Sequence, residues 1–422
     1  MHYIDHMLPN GLRVLMVPAY AFQSVSMGVF VKVGARYEPA DLSGISHFIE
    51  HMLFKGTKNR PSAQQIAEAI EGIGGDSNAY TSPETTVYYA KVAAAHVNVA
   101  IDFLADLLRN PLFTAADIKK ERRVIGEEIN MVFDSPDEWL DVIIDEVLWP
   151  DHPLGQSVTG TAASLRNINR TALTSFFKTS YHPGNIVIAL GGAFDPDQVI
   201  PEIDARLGDW PAQAPPPFEP APAVPTQVRY RIEHRAIEQG HLCLALPGLP
   251  RTHPDRYALS VLNTLLGDGM SSRLFLSIRE DKGLAYAVDS GINLLQDTGS
   301  LTIYAGVDPR RAAEALQAIL IELKRLCDDP VPDQELRKAK EYVKGRMVLG
   351  LEDTYSQAAW VAYQAMYQSE IKSPEAALAA YEAVTGEAIT ALVERLIAPG
   401  RYSLAAIGPF GRGEALIGLI TE

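Results

Sequence analysis

The sequence predicts an α+β protein built from two homologous halves, each a mostly antiparallel sheet with helices packed on one side. Three observations predict this. The length of 422 residues exceeds what one hydrophobic core usually supports. The stretch Pro211 to Pro225, PAQAPPPFEPAPAVP, reads as a stiff, extended linker near the middle, because proline fixes φ and removes backbone donors. On either side of it the same order recurs: strands, a helix with an apolar face, more strands, then a helix pair. HVNVAIDFLADLLRNPLFTAADIKKERRVIGEEINM in the first half parallels DPRRAAEALQAILIELKRLCDDPVPDQELRKAKEYVKGRMV in the second. The expected division is 1–210, a linker over 211–225, and 226–422.

Bulk properties narrow the function classes. A hydrophobic fraction of 47% and a charged fraction of 21% are those of an ordinary globular protein. No run approaches about 18 apolar residues, and MHYIDHMLPNGLRVLMV at the N-terminus lacks a basic leader, so neither membrane insertion nor secretion is expected. Cytoplasm is the expected compartment, and Cys243 and Cys327 read as free thiols. A net charge of −15 argues against a nucleic-acid partner, which would require a basic face.

The first chemistry-bearing element is a short helix around His47, Phe48, Ile49, Glu50 and His51, preceded by Gly44 and Ser46 as loop and N-cap. His47 and His51 are one turn apart, so both imidazoles can reach one ion. Glu50 lies beside them, within reach of a water on that ion. H-x-x-E-H is the inverzincin signature. After Gly74 and Gly75, the runs Asn78 to Thr81 and Thr85 to Val92 read as strands. Ala115 to Phe133 reads as a helix with Ile118, Val124, Ile125, Ile129 and Met131 on its core side. Glu121 and Glu128 fall within about 20° of each other on that helix, and Glu127 points about 100° away. A catalytic zinc takes three protein ligands and keeps one position open, so one of the pair could ligate while the other accepts a bond from a ligating histidine.

The second half lacks this set. ALSVLNTLLGDGMSSRLF stands where the motif helix stands in the first half, without a histidine, while Arg346 falls opposite Glu128 and Ala339 opposite Glu121. Only the first half can carry the metal, which suggests chemistry in one half and substrate holding in the other. Arg279 and Tyr286 stand seven apart around Gly283; taken alone they read as an arginine paired with Glu280 or Asp281 and a core tyrosine, and beside a zinc motif as donors to a substrate carbonyl. His96, His152, His182, His234, His241 and His253 lack ligand spacing, and the Gly267 to Gly269 turn lacks the lysine of a phosphate loop.

In order and spacing, HFIEHMLFKGT, GGDSNAYTSPETTVYY and ERRVIGEEINM resemble the M16 peptidases, the group of pitrilysin, insulysin and the mitochondrial processing peptidase. The resemblance covers essentially the whole chain and is closest to short bacterial-type members. It implies that His47, His51 and Glu128 bind one Zn2+ per chain, that Glu50 activates water, and that Glu121 supports the site. Active members carry an arginine and a tyrosine at the spacing of Arg279 and Tyr286, completing the catalytic site. The segment Asn78, Ala79, Tyr80 is implied to be an exposed edge strand that adds the peptide substrate as a further strand. The implied fold has two halves facing each other across a chamber (LuxS/metallohydrolase-like). The implied activity is a zinc endopeptidase acting on peptides or unfolded segments. A homodimer is implied, and a heterodimer with a zinc-free homologue is the other arrangement the resemblance allows. The alternative is a non-catalytic or partner subunit of a heterodimeric M16 complex. Such subunits have typically lost part of the zinc motif or of the arginine and tyrosine pair, and here both are intact.

Overall fold

A computed structural model describes residues 1–224 and 227–421; Pro225, the last residue of the expected linker, lies outside them with Thr226 and Glu422. The strands are β1 (Ile4–Met7), β2 (Arg13–Pro18), β3 (Ser24–Val31), β4 (Asp76–Thr81), β5 (Thr86–Ala93), β6 (Ile186–Gly192), β7 (Arg229–His234), β8 (Gly240–Pro247), β9 (Ala285–Leu294), β10 (Gly299–Val307) and β11 (Ser403–Gly408). The first half contributes helices α1 (Ile45–Leu53), α2 (Ala63–Glu71), α3 (Val97–Arg109), α4 (Ala115–Asp134), α5 (Pro136–Leu148), α6 (Ser164–Asn167), α7 (Arg170–Ser180) and α8 (Pro196–Leu207). After the proline-rich stretch come α9 (Arg256–Leu266), α10 (Ala312–Asp328), α11 (Asp333–Gly350) and α12 (Thr354–Tyr367), followed by shorter C-terminal helices. No helix or strand forms over 211–224, as its prolines dictate. Among the described residues no single helix is long and apolar enough to cross a membrane.

The duplication is visible in the sheets. One has the order β1-β2-β6-β3-β5-β4 and the other β7-β11-β8-β10-β9. Position for position, β2, β6, β3, β5 and β4 match β7, β11, β8, β10 and β9, down to the one parallel pair in each, β2 with β6 and β7 with β11. All other pairings are antiparallel, so the mixed α+β class is the one expected. The helix pairs match too, α3 and α4 against α10 and α11.

The compact units differ from a simple division at the linker. One comprises 1–131, 156–219 and 349–374; the other comprises 132–155, 220–348 and 375–422. Each half of the chain therefore lends one segment to the unit built mainly by the other half. In the first unit α12 comes from the second half, and in the second unit α5 comes from the first.

These loaned helices also correct the expectation that helices cover one side only. In the first unit Val25, Met27, Val29 and Val31 of β3 face the main core with α1 and α3, while Phe30 faces a separate cluster with Ala358, Val361 and Ala362 of α12. The helix can lie close because its contact residues are small and because Gly191 sits beneath its start; a Cβ there would meet the Thr354 carbonyl at 2.3 Å. In the second unit Leu140, Ile143 and Ile144 of α5 cover Cys243, Ala245, Ala405 and Ile407 in the same way. Cys243 is thus a buried free thiol, whereas Cys327 is only half-buried.

Helix α4 matches the expected span to within one residue, but its apolar pattern promised too wide a core side. Ile118 and Ile125 are buried and Ile129 packs at the margin, whereas Val124 is 39% and Met131 68% exposed.

Candidate metal centre

Helix α1 is anchored by Phe48, Ile49, Met52 and Leu53, each at most 1% exposed, a burial worth roughly 1.5–3 kcal/mol per side chain. This fixes the opposite face, where His47, Glu50 and His51 are only partly covered. The helix starts at Ile45, so Ser46 lies in the first turn rather than at the cap. Gly44 takes the cap position with φ +89°, and a Cβ there would meet the Thr159 carbonyl at 2.6 Å, so only glycine fits.

The amides at the helix start are satisfied by a residue that sequence reasoning did not single out. Glu38, 4% exposed, accepts from the Gly44 N–H through Oε2 at 2.6 Å and from the Ser46 N–H through Oε1 at 2.7 Å. Burial pushes its carboxyl up to about 7 against the pull of these amides. The folded residue then keeps its proton to about pH 7, whereas the unfolded one loses it near 4.5. Its contribution to stability is greatest below pH 4.5 and falls, by about 3 kcal/mol in all, as pH rises to about 7. Urea melts of wild type and Glu38→Gln over this range should show the wild-type advantage shrinking as pH rises. An advantage that grew with pH would mean that the amides, not burial, dominate.

Helix α4 supplies the carboxylates. Glu121 is fully buried and Glu128 partly exposed, while Glu127 points to solvent. His47 Nε2 and His51 Nε2 are 3.2 Å apart, and Glu128 Oε2 lies 3.7 Å from the first and 3.5 Å from the second. Ligands of a tetrahedral zinc with bonds of about 2.1 Å are about 3.4 Å apart, so the three atoms are spaced to hold one ion. Among the described residues this is the one cluster of three metal-ligating side chains.

The protonation pattern fits the same ion. His51 Nδ1 lies 3.2 Å from Glu121 Oε2, and a carboxylate only accepts, so Nδ1 carries the proton and Nε2 presents its lone pair. Burial, with His51 beside it, lowers His47 to about 4, which keeps it neutral as a ligand must be. Two lone-pair nitrogens and a carboxylate oxygen converging on one point are what a bound cation requires. Lys55 Nζ stands 3.1 Å from Glu121 Oε1 and balances the buried charge that orients His51. Glu50 shares the cluster, its carboxyl raised by burial and lowered by a hydrogen bond from the Thr81 hydroxyl to Oε2 at 2.5 Å. Neither Lys55 nor Thr81 was distinguishable in the sequence, since nothing in its spacing links either to its partner.

Two family descriptions match the chain in succession, "Insulinase (Peptidase family M16)" over 13–162 and "Peptidase M16 inactive domain" over 167–343. An uncharacterized zinc protease of Mycobacterium leprae is 37% identical over 412 residues, covering 97% of this chain and 92% of its own. The chain belongs to the M16 peptidase family. An uncharacterized zinc protease of Bacillus subtilis is likewise 37% identical over 405 residues, 95% of this chain and 97% of the relative. The fold of this M16 protein is similar to the crystal structure of a protease from Helicobacter pylori, with a TM-score of 0.91 at 24% identity over 96% of this chain and 99% of that one.

The other residues singled out in this M16 sequence fall as follows. β4 pairs only with β5 among the described strands and is a sheet edge, so Asn78, Ala79 and Tyr80 lie on an open strand. The Tyr80 side chain is turned to the face covered by α12, its hydroxyl 3.0 Å from that of Tyr355 and 2.6 Å from that of Tyr363. Any substrate role of Tyr80 therefore falls to its backbone. In the second unit Tyr286 is 79% exposed, which excludes a core role. The Arg279 guanidinium lies 4.9 Å from the Phe275 ring centre and 5.6 Å from that of Tyr286, and Glu280 is a weak partner at 3.8 Å. Ala339, opposite Glu121 in the duplication, is buried like its counterpart but brings no carboxylate. His182 is fully buried and belongs to no ligand cluster among the described residues.

Proposed function

We propose that the chain is a zinc-dependent endopeptidase for peptides and unfolded segments. The observation that carries the reading is the convergence of His47 Nε2, His51 Nε2 and Glu128 Oε2 at ligand spacing, with Glu50 on the same helix. Zinc, when bound there, polarises the scissile carbonyl and acidifies a water to a pKa of about 7. Glu50 takes the proton from the attacking water and returns it to the leaving amine. Glu121 fixes the orientation of His51 and so the direction of its Nε2 lone pair. The open edge of β4, with Asn78 and Ala79, takes the peptide backbone, an attachment blind to most side chains and open only to extended chains. Arg279 and Tyr286 are assigned as donors to the substrate carbonyl oxygen. A homodimer is part of this reading, with a native mass twice the 46.1 kDa of one chain.

The test is hydrolysis of an unstructured peptide by the purified protein, with zinc content measured on the same sample. The rate should scale with zinc content, and Arg279→Ala should lower kcat/KM by about 10²-fold at unchanged zinc content. A fully zinc-loaded wild type that cleaves no unstructured peptide overturns the assignment.

A further inference from the structure

We infer that Thr81 is a positioning residue for Glu50, fixing the base to the strand whose free edge faces an incoming peptide. The inference rests on the peptidase reading above. The hydroxyl of Thr81 donates to Glu50 Oε2 at 2.5 Å, a short charge-assisted bond that occupies one carboxylate oxygen and leaves Oε1 to meet the water. Glutamate has three side-chain torsions, and α1 alone does not choose among them; a bond from a neighbouring element does. Threonine is suited to give it, because branching at Cβ restricts χ1 and so sets the direction of Oγ1.

The strand behind that hydroxyl is itself held on both faces. Tyr80, one residue earlier, is bonded on the opposite face to Tyr355 and Tyr363 of α12, and the backbone of Thr81 pairs with Thr86 of β5. Thr81 is the last residue of β4, whose other edge pairs with no further strand among the described residues. A peptide paired along that edge is in register with the residue that orients the base. The same five-residue motif without Thr81 would keep its metal ligands and lose the fixed relation between base and substrate.

The test compares Thr81→Val, which keeps shape and strand preference but removes the donor, with Thr81→Ser, which keeps the donor. With zinc content and melting temperature unchanged, Thr81→Val should lower kcat by about 10- to 100-fold and leave KM nearly as it was, while Thr81→Ser should restore most of the rate. Crystal structures of the zinc-free variants give a readout independent of turnover: Glu50 stays at its place in Thr81→Ser and leaves it in Thr81→Val. Wild-type kcat in Thr81→Val overturns the inference, as does an equal loss in both variants. A zinc-loaded wild type that cleaves nothing overturns the peptidase reading instead, and the crystal comparison still decides whether Thr81 holds Glu50.

Discussion

Glu50→Gln should leave one zinc per chain and lower peptide hydrolysis by about 10³-fold or more, the loss expected on the proposed function when a general base is removed and equivalent to about 4 kcal/mol of transition-state stabilisation. The amide is nearly isosteric and its oxygen can still accept from Thr81, so the local packing survives. What it cannot do is take a proton. Glu50 is not one of the three converging ligand atoms, which is why metal content should be unaffected. The measurement is turnover of an unstructured peptide alongside elemental analysis of the same preparation. Hydrolysis within a few-fold of wild type, at equal zinc content, would mean that another group moves the proton.

Glu128→Ala should abolish turnover by a different route, through loss of the metal. Its Oε2 is the third vertex of the ligand triangle, 3.7 and 3.5 Å from the two imidazole nitrogens, and two histidines alone leave a tetrahedral site half-filled. The loss of affinity should exceed the roughly 10- to 100-fold typical of removing a supporting partner, which is the effect expected for Glu121→Gln. Competition with a chromophoric chelator measures both. Equal zinc affinity in Glu128→Ala and wild type would remove Glu128 from the ligand set. The two substitutions thus separate the roles: one protein has metal without turnover, the other lacks the metal.

Much of this centre was legible because its parts obey helical periodicity. His47 and His51 one turn apart and Glu121 and Glu128 two turns apart announce shared faces without any knowledge of the fold. The duplication was legible for a similar reason, since strand and helix patterns repeat in order. What escaped depends on partners that no helical or strand period links, whether near in sequence or far. Glu38 caps α1 from a preceding loop, Thr81 reaches Glu50 from another element, and Lys55 meets Glu121 from beyond the end of α1. None of these leaves a spacing signal. Periodicity also misled where it was read as burial, as at Val124 and Met131, because an apolar residue on a helix need not have anything packed on it. Nor could the apolar faces of α5 and α12 say which sheet they cover; amphipathicity marks that a face is buried and is silent about its neighbour.

The loan of α12 bears on how the protein can be made. When the ribosome has finished β6, every strand of the first sheet exists, yet Leu15, Val17, Phe30, Val87, Val187 and Ala189 have no cover. Their helix is translated roughly 160 residues later, a delay on the order of ten to thirty seconds at common elongation rates. During that interval the nascent chain presents a bare apolar face, and α5 waits for a sheet that does not yet exist. The first half cannot mature before most of the second is made, so a ribosome that stalls late in the message leaves the half with the metal-ligand cluster already synthesised but with one sheet face uncovered.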